Sequence, residues 1–251
     1  MKILVNGILG HMGREVAALC AASYRTAELA LGVDPSFTGE GEYTVYRDYG
    51  DVPNDATIDC IIDFSHHTTA PSLLRFATER SIPTVICTTG HTEEELEAIN
   101  LAAERIPVFF SANMSLGVAL LVELAKTVAL AMPEADIEII EKHHNRKVDA
   151  PSGTALMIAN ALTEVREGAT LNLGRSGQGK RTPSEIGIHA VRIGNVVGEH
   201  EVIVATQNQT ITLKHEAHSR ALFAEGAIVA AEFLVKQGAG LYSMKSLVSK
   251  G

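Results

Sequence analysis

No apolar run in this 251-residue sequence approaches the roughly 20 residues that a helix needs to cross a bilayer. The first strand-like segment, residues 3–5, begins close to the first residue, so we expect no cleaved signal peptide. Apolar residues make up 46% of the chain and charged residues 20%, a composition typical of a folded globular protein. We therefore expect a cytoplasmic protein without a membrane segment.

Cysteine and positive charge are also scarce. Cys20, Cys60 and Cys87 lie singly in apolar stretches, without the paired spacing typical of metal sites, and are interpreted as reduced core residues. The formal net charge of −9 disfavours nucleic acid and anionic membranes as partners, because both require a basic surface. Any site for an anion must therefore be local.

Short β-rich segments alternate with helical patterns through the first half of the chain. The predicted strands are 2–6, 28–33, 60–64, 83–87 and 108–111, and the predicted helices are 12–24, 70–80 and 93–103. This alternation predicts βαβ units around a parallel sheet, and hence an α/β fold. It defines a first domain over residues 1–112.

The pattern changes after residue 112. A helix (116–131), a strand (136–142) and a second helix (152–165) precede a segment rich in Gly, Ser, Arg and Lys (168–187). A strand (186–192) and a probable hairpin (201–205 with 210–215) follow, which predicts a mixed or antiparallel sheet in a second domain, 113–219. The last predicted helix, 222–236, lies in a segment, 220–251, that we expect to return to the first domain.

A glycine-rich turn joins the first predicted strand to the first helix. Its residues are Gly7, Ile8, Leu9, Gly10, His11, Met12 and Gly13. Gly7 permits a tight turn, Gly10 lets the backbone approach a pyrophosphate, and Gly13 lets the helix pack closely. The anion would lie on free N–H groups at the positive end of the helix. The alternative is a plain surface turn, because this glycine spacing is not the commonest one.

Two other segments follow predicted strands at the same edge of the sheet, where ligands of open parallel sheets bind. Asp34 ends the second strand, where its carboxylate would accept hydrogen bonds from both ribose hydroxyls of an adenosine. The segment from Cys87 through Thr88 and Thr89 to Gly90 ends another strand, and its hydroxyl and N–H groups would hold a nicotinamide. An ordinary turn and helix cap is the alternative for this second segment.

Reactive side chains are concentrated in residues 141–155, which run from a predicted strand into a helix. His143, His144, Arg146 and Lys147 concentrate positive charge in an acidic chain, which suits an anionic substrate. A metal site is disfavoured, because adjacent residues on a strand point to opposite faces and no third ligand lies nearby. The segment therefore indicates a site for an anionic substrate without a metal.

The helix in this segment offers a second anion site. Ser152 is predicted to be the N-cap, and the N–H groups of Gly153 and Thr154 would bind a carboxylate, with no side chain on Gly153 to block its approach. Simple capping is the alternative for these three residues.

These motifs resemble those of the dihydrodipicolinate reductase family, and the similarity covers nearly the whole chain. The segments that carry it are the glycine turn followed by Arg14, Asp63-Phe64-Ser65, Thr88-Thr89-Gly90, 113–118, 143–155, 192–200, 218–227 and 240–244. Segment 143–155 is the most specific of them. The resemblance implies a Rossmann-like doubly wound parallel sheet domain built from both chain ends, with an α+β substrate domain that also forms a homotetramer, and hinge closure over the ligands.

The resemblance also implies an activity and a set of site residues. The activity is reduction of 4-hydroxy-tetrahydrodipicolinate, a small cyclic dicarboxylate, to tetrahydrodipicolinate by NADH or NADPH, without a metal, in lysine and diaminopimelate biosynthesis. His143 corresponds to the proton-transfer residue and Lys147 to the second catalytic group. Residues corresponding to the substrate-carboxylate site are His144, Ser152, Gly153 and Thr154. Residues corresponding to the nicotinamide site are Cys87, Thr88, Thr89, Ser111, Ala112, Asn113 and Met114.

Two other functions are compatible with the glycine turn and Asp34. A different two-domain nicotinamide dehydrogenase, acting on aspartate or homoserine, would share both features but would not require His143, His144 and Lys147 before a Pro-Ser-Gly-Thr helix start. A nucleotide sensor without catalytic activity would bind the cofactor without oxidising it. The intact histidine and lysine favour an enzyme.

The residues around the ribose predict that NADH is used at least as well as NADPH. Asp34 would accept a hydrogen bond from the 2′-hydroxyl and repel a 2′-phosphate, and Pro35 and Ser36 supply no compensating cation. His11 is the nearby residue that could gain a proton beside a phosphate. The measurement is kcat/KM for each cofactor at fixed substrate concentration and neutral pH, in the parent and in Asp34→Ala. The preference for NADH over NADPH should be smaller in Asp34→Ala. A parental preference for NADPH of about tenfold, or about 1.4 kcal/mol, would contradict it.

Overall fold

The computed structural model describes residues 1–248, which divide into two compact units. The first contains Met1–Ser115 and the chain from Ala221, and the second contains Leu116–Arg220. Strands of the first unit are β1 (Lys2–Asn6), β2 (Glu28–Val33), β3 (Val45–Tyr46), β4 (Cys60–Asp63), β5 (Thr84–Ile86), β6 (Pro107–Phe110) and β12 (Gly240–Tyr242). Its helices are α1 (His11–Ala21), α2 (Ala70–Arg80), α3 (Glu93–Ala103), α6 (Ala221–Leu234) and α7 (Met244–Val248).

The first unit is built on a parallel sheet, sheet A, with the strand order β12-β6-β5-β4-β1-β2-β3. The predicted parallel sheet is therefore confirmed. Ile3, Leu4 and Val5 of β1 are fully buried because helices cover both faces of such a sheet. The chain builds outward from β1 in both directions, so the topological switch point lies between β1 and β4, where ligands of doubly wound sheets bind.

The second unit contains a mixed sheet, sheet B. Its strands are β7 (Asp136–His143), β8 (Thr170–Asn172), β9 (Glu185–Arg192), β10 (Gly198–Ala205) and β11 (Thr210–Ala217), and its helices are α4 (Leu116–Ala131) and α5 (Gly153–Thr163). In the order β11-β10-β7-β9-β8, β10 is antiparallel to β7 and β11, while β9 is parallel to β7 and β8. Strand β8 lies within 168–187, where the sequence predicts no strand.

Alternation along β7 decides which side chains face the core. Ile137 and Ile139 pack with residues of α4 and α5 in the core of the second unit, which also includes Val202 and Val204 of β10. Because the side chains of a strand alternate between its two faces, the next residue on this face is Glu141 and the one after it is His143. The apolar face that holds the helices thus becomes polar at the end of β7.

Within the described residues, no helix is both long and apolar enough to span a membrane.

Helix α1 begins directly against the glycine turn. A Cβ on Gly13 would overlap the carbonyl oxygen of Gly7 and lie 2.7 Å from the Cα of Ile8. The close packing predicted for Gly13 is therefore present, with the turn itself as its partner. Helix α1 ends at Ala21, earlier than predicted, and Ser23 follows with a left-handed φ of 53°.

This packing predicts that Gly13→Ala lowers the free energy of unfolding, although alanine is favoured over glycine in a helix by about 1 kcal/mol. Because the added Cβ would meet backbone atoms that cannot rotate away, we expect a net loss of about 1–3 kcal/mol in urea unfolding. Gly179→Ala is the matched control, since nothing lies within 4 Å of a Cβ at that position. Equal stability of parent and Gly13→Ala would refute the packing argument.

Candidate active site

The glycine turn of the first unit is held by its own backbone. Gly7 has a φ of 77°, and a Cβ there would lie 2.8 Å from the Cα of Ser65. Both the backbone conformation of the turn and the close approach of the Ser65 loop therefore require glycine at position 7. The N–H of Gly7 donates to the carbonyl of Val33 over 2.8 Å, and that of Gly10 donates to the carbonyl of Gly7 over 3.0 Å. The side chain of Ile8 is buried, so only its backbone is available to a ligand.

A hydrogen bond to Asp34 connects this turn to the end of β2. The Oδ2 of Asp34 accepts from the N–H of Leu9 over 3.0 Å, and its Oδ1 accepts from the N–H and hydroxyl of Ser36 over 3.0 and 2.6 Å. The N–H of Leu9 is therefore not free for an anion, contrary to the expectation for the whole turn. His11 and Met12 begin α1, where the first N–H groups of a helix lack intrahelical acceptors, and these are the N–H groups that fit a pyrophosphate.

A buried aspartate joins three strand ends at the same edge of sheet A. Asp63 ends β4 with no solvent exposure. Its Oδ1 accepts from the amide of Asn6 over 2.8 Å and from the hydroxyl of Ser65 over 2.5 Å, while its Oδ2 accepts from the hydroxyl of Thr88 over 2.5 Å. The Thr88 hydroxyl, predicted to face a nicotinamide, thus supports the turn from inside. Thr89, the next residue, is exposed.

The other predicted nicotinamide residues differ in solvent exposure: some are buried and others are exposed. The Cys87 side chain is buried, and burial raises the pKa of its thiol well above the ordinary value. Ser111 donates its hydroxyl to the carbonyl of Asn113 over 2.8 Å, and Ala112 between them is exposed. Met114 is buried beneath Gly226 of α6, where a Cβ would overlap the Met114 carbonyl oxygen. Helix α6 therefore fixes the backbone of this loop.

The second unit holds His143 against a buried carboxylate. The Nδ1 of His143 lies 2.6 Å from the Oε2 of Glu141, and Glu141 has no solvent exposure. An ionised carboxylate can only accept hydrogen bonds, so Nδ1 must donate. Nε2 is then the ring nitrogen that can exchange a proton with a ligand.

Glu141 receives further donors that complete its hydrogen bonding. Arg192 on β9 donates Nη1 to Oε2 and Nη2 to Oε1, both over 2.8 Å, and the N–H of Ser152 donates to Oε1 over 3.0 Å. Burial alone would raise the pKa of Glu141, but the hydrogen bonds from Arg192, His143 and Ser152 outweigh it and lower that pKa. Glu141 is therefore ionised at neutral pH.

Sequence reasoning does not select Glu141 or Arg192 as site residues. The signal for Glu141 is its position two residues before His143, which places both on one face of β7. Arg192 faces His143 across the parallel pair of β7 and β9, and this register cannot be derived from the sequence of either strand.

Lys147 and His144 lie in the turn after β7. The Lys147 ammonium is 2.8 Å from the Oδ1 of Asp149, and its hydrogen bond to that carboxylate lowers the pKa of Asp149. Burial and the neighbouring Arg146 and Arg220 lower the pKa of His144. This turn therefore brings positive charge close to His143, as the sequence predicts, and already binds one carboxylate through Lys147.

Helix α5 begins with the predicted cap. The hydroxyl of Ser152 accepts from the N–H of Ala155 over 3.1 Å, so the cap is confirmed. Nothing lies within 4 Å of a Cβ on Gly153, which is exposed, and Thr154 is half-buried. An anion can therefore approach the first turn of α5 on the side of Gly153.

Family models for the two parts of one enzyme match almost the whole chain. The model for dihydrodipicolinate reductase, N-terminus, matches residues 1–114, and that for dihydrodipicolinate reductase, C-terminus, matches residues 117–248. The chain belongs to the dihydrodipicolinate reductase family. Among its relatives is the 4-hydroxy-tetrahydrodipicolinate reductase of Caldanaerobacter subterraneus, 48% identical over 100% of this chain and 99% of the relative.

Solved structures agree with this family membership. The dipicolinate-bound dihydrodipicolinate reductase from Paenisporosarcina superposes with a TM-score of 0.82 and 25% identity, over 97% of each chain. An aspartate dehydrogenase from Thermotoga maritima, covering 94% of this chain and 97% of its own, has a TM-score of 0.50 and 12% identity, so it shares the fold alone. The N-terminal domain of this reductase family is of the nucleotide-binding type, which points to NAD(P)H. Within residues 1–248, no cluster of His, Cys, Asp or Glu is arranged to hold a metal.

The lowered pKa of Glu141 gives a prediction for this reductase-family chain. A carboxyl group whose pKa is lower in the folded state stabilises the fold above its unfolded pKa, and this contribution disappears as the pH falls through the folded value. Glu141→Gln should therefore cost about 3 kcal/mol at neutral pH, because Arg192 loses its partner, and much less at acidic pH.

The measurement is urea unfolding of the parent and Glu141→Gln across this pH range. Glu167→Gln, at an exposed position after α5, is the matched control and should change little at any pH. A stability difference between parent and Glu141→Gln that stays constant from neutral to acidic pH would show that Glu141 is not the titrating group.

Proposed function

We propose that this chain reduces 4-hydroxy-tetrahydrodipicolinate to tetrahydrodipicolinate with NADH or NADPH in lysine and diaminopimelate biosynthesis. Family membership supports the reaction. The observation that carries it is the pair of His143 and Glu141 on the face of sheet B where α5 begins. A proton donor and a helix start suited to a carboxylate are thereby held by one buried group.

In this proposal, His143 moves the proton. The nicotinamide, when bound, supplies the hydride. The negative charge that develops on the substrate ring must then be neutralised by a proton from an acid. His143 delivers a proton from Nε2, while Glu141 accepts a hydrogen bond from Nδ1 and orients the ring. Lys147 acts as the second catalytic group, pairing with a substrate carboxylate and making the ring more electrophilic.

The substrate carboxylates are assigned to the start of α5 and to the cations near it. The N–H groups of Gly153 and Thr154 bind one carboxylate, with His144 beside them. The Ser152 hydroxyl accepts from Ala155, so we assign it the positioning of the helix start rather than a direct role. The dipicolinate bound to the Paenisporosarcina relative supports a small dicarboxylate as the ligand.

Residues of the first unit fit the cofactor. The conformation of Gly7 and the helix start at His11 and Met12 suit the pyrophosphate, and the buried carboxylate of Asp34 suits a ribose hydroxyl. The Oδ2 of Asp34 retains a lone pair beyond its hydrogen bond from Leu9, whereas Oδ1 already accepts two hydrogen bonds from Ser36. We therefore propose NADH as at least the equal of NADPH.

We also propose a homotetramer formed through the second unit. The face of sheet B opposite α4 and α5 carries Ile140 on β7, with Val191 on β9 and Ile203 on β10 as its diagonal neighbours. Val191 is 38% exposed, and a second copy of the chain would cover it. Light scattering of the purified protein tests this assembly.

A coupled assay tests the reaction itself. The substrate is generated enzymatically, and loss of reduced cofactor absorbance is followed with NADH and with NADPH. We expect oxidation only when the cyclic dicarboxylate is present. Equal turnover with oxaloacetate or aspartate semialdehyde would favour another dehydrogenase, and cofactor binding without any oxidation would favour a sensor.

Removal of either proposed catalytic side chain should slow the reaction without affecting cofactor binding. His143→Ala and Lys147→Ala should each lower kcat by about 10²-fold or more, because each removes a group that acts in the transition state. The dissociation constant for NADH should stay near the parental value, since both residues belong to the second unit. Lys142→Ala, which removes a cation bound to Glu199 on the other face of β7, is the matched control. Parental kcat in either variant would reject the assigned role.

A further inference from the structure

A second buried histidine packs against His143. His200 lies on β10 opposite Glu141 and is 4% exposed. Its ring meets that of His143 edge to face, with centroids 5.2 Å apart and an interplanar angle of 71°. This geometry is a favourable one for a ring pair, and it restricts rotation of the His143 ring about its hydrogen bond to Glu141.

The same histidine also contacts the start of α5. The Nε2 of His200 lies 3.1 Å from the hydroxyl oxygen of Ser152, which in turn accepts from the N–H of Ala155. His200 therefore touches the proposed proton donor with its ring and the cap of the proposed carboxylate-binding helix with its nitrogen.

Glycine makes room for this pair of rings. A Cβ on Gly198 would lie 3.0 Å from the Nε2 of His143 and 3.8 Å from the Cε1 of His200. Gly198 and His200 are on the same face of β10, and a Cβ at position 198 would require the His143 ring to shift by a few tenths of an ångström. The spacing of Gly198 and His200 in the sequence thus serves the orientation of His143.

We propose that His200 is a positioning residue that couples the orientation of His143 to the position of the α5 start. This inference rests on the proposed function, because it assigns His143 and α5 their roles in proton transfer and carboxylate binding. His200 touches neither cofactor nor substrate in this account and acts through His143 and Ser152.

The surroundings of His200 require a neutral ring. The groups that face it are His143 and Glu141 from β7, His215 from β11, Lys147 from the turn after β7 and the cap of α5. Within the described residues its Nδ1 is buried without a hydrogen-bond partner, so a second proton there would have no acceptor. Burial, followed by the charge of His143, lowers the pKa of His200 to about 4. The ring can therefore hold His143 without competing for its proton.

Two substitutions separate the two contacts. His200→Phe keeps a ring against His143 but loses the hydrogen bond to Ser152, so KM for the substrate should rise about tenfold while kcat changes less than about twofold. His200→Gln keeps a polar nitrogen near Ser152 but loses the ring, so kcat should fall about tenfold with KM near the parental value. Glu167→Gln, at an exposed position after α5, is the control and should keep both parameters.

A double-mutant cycle tests the contact with Ser152 directly. Ser152→Ala should raise KM as His200→Phe does, and the double variant should be no worse than Ser152→Ala alone, because both changes remove one hydrogen bond. Fully additive effects would overturn the coupling. The coupling would also be overturned if His200→Phe and His200→Gln changed kcat and KM by the same factors. Parental kcat and KM in both variants would overturn it as well. If the His200 variants do not fold, the ¹⁵N chemical shift of His200 Nε2, compared between the parent and Ser152→Ala, still tests the hydrogen bond, and an unchanged shift would overturn the coupling.

Failure of the proposed function would be distinguishable from failure of this coupling. The parent enzyme in the coupled assay tests the function alone. The affinity of each variant for dipicolinate, measured by calorimetry without turnover, tests the coupling. We expect weaker dipicolinate binding in His200→Phe and Ser152→Ala and parental binding in His200→Gln. Parental affinity in all three variants, or no dipicolinate binding by the parent, would overturn the coupling.

Discussion

A charged carboxylate without solvent contact is costly unless hydrogen bonds and an opposite charge replace the lost water, and Glu141 is in this position. Arg192 binds both oxygens, and His143 and the N–H of Ser152 supply the remaining donors. Each partner comes from a different part of the second unit. The requirement to satisfy one charge therefore fixes the end of β7 against β9, the tautomer of His143 and the start of α5.

The first unit uses buried carboxylates in a different way. Asp63 has hydroxyl and amide donors from β1, the loop after β4 and the turn after β5, and Asp34 has a backbone donor from the glycine turn. These hydrogen bonds hold together the strand ends around the switch point of sheet A, where a dinucleotide would bind. Both units thus place acidic groups beneath a proposed binding surface, where helix N–H groups would bind the anions of the ligands.

The larger elements could be predicted from the sequence because their signals are local. Hydrophobic periodicity marks β1, α3 and α4, the glycines mark the turn, and Ser152 marks the start of α5. The short edge strands β3 and β8 were not predicted, since their stability comes from pairing with a neighbour rather than from their own pattern, whereas the equally short central strand β5 was.

Contacts between distant segments form the other part that sequence could not supply. The Arg192 fork on Glu141 depends on the register of two parallel strands, and the bond from Leu9 to Asp34 depends on how the turn folds back on β2. Segment 143–155 predicts which side chains carry the proposed chemistry, but not the buried groups that orient them. The residues that position a site are therefore harder to predict than those that act in it.

The central claim is that Glu141 holds the proton of His143 on Nδ1. The most direct measurement is the ¹⁵N and ¹H NMR spectrum of the histidine rings, with His143 assigned by comparison with His143→Gln. The account predicts a protonated Nδ1 with a strongly downfield proton, as expected for a short charge-assisted hydrogen bond, and loss of that signal in Glu141→Gln. A neutral His143 ring that carries its proton on Nε2, or a signal unchanged by Glu141→Gln, would contradict it.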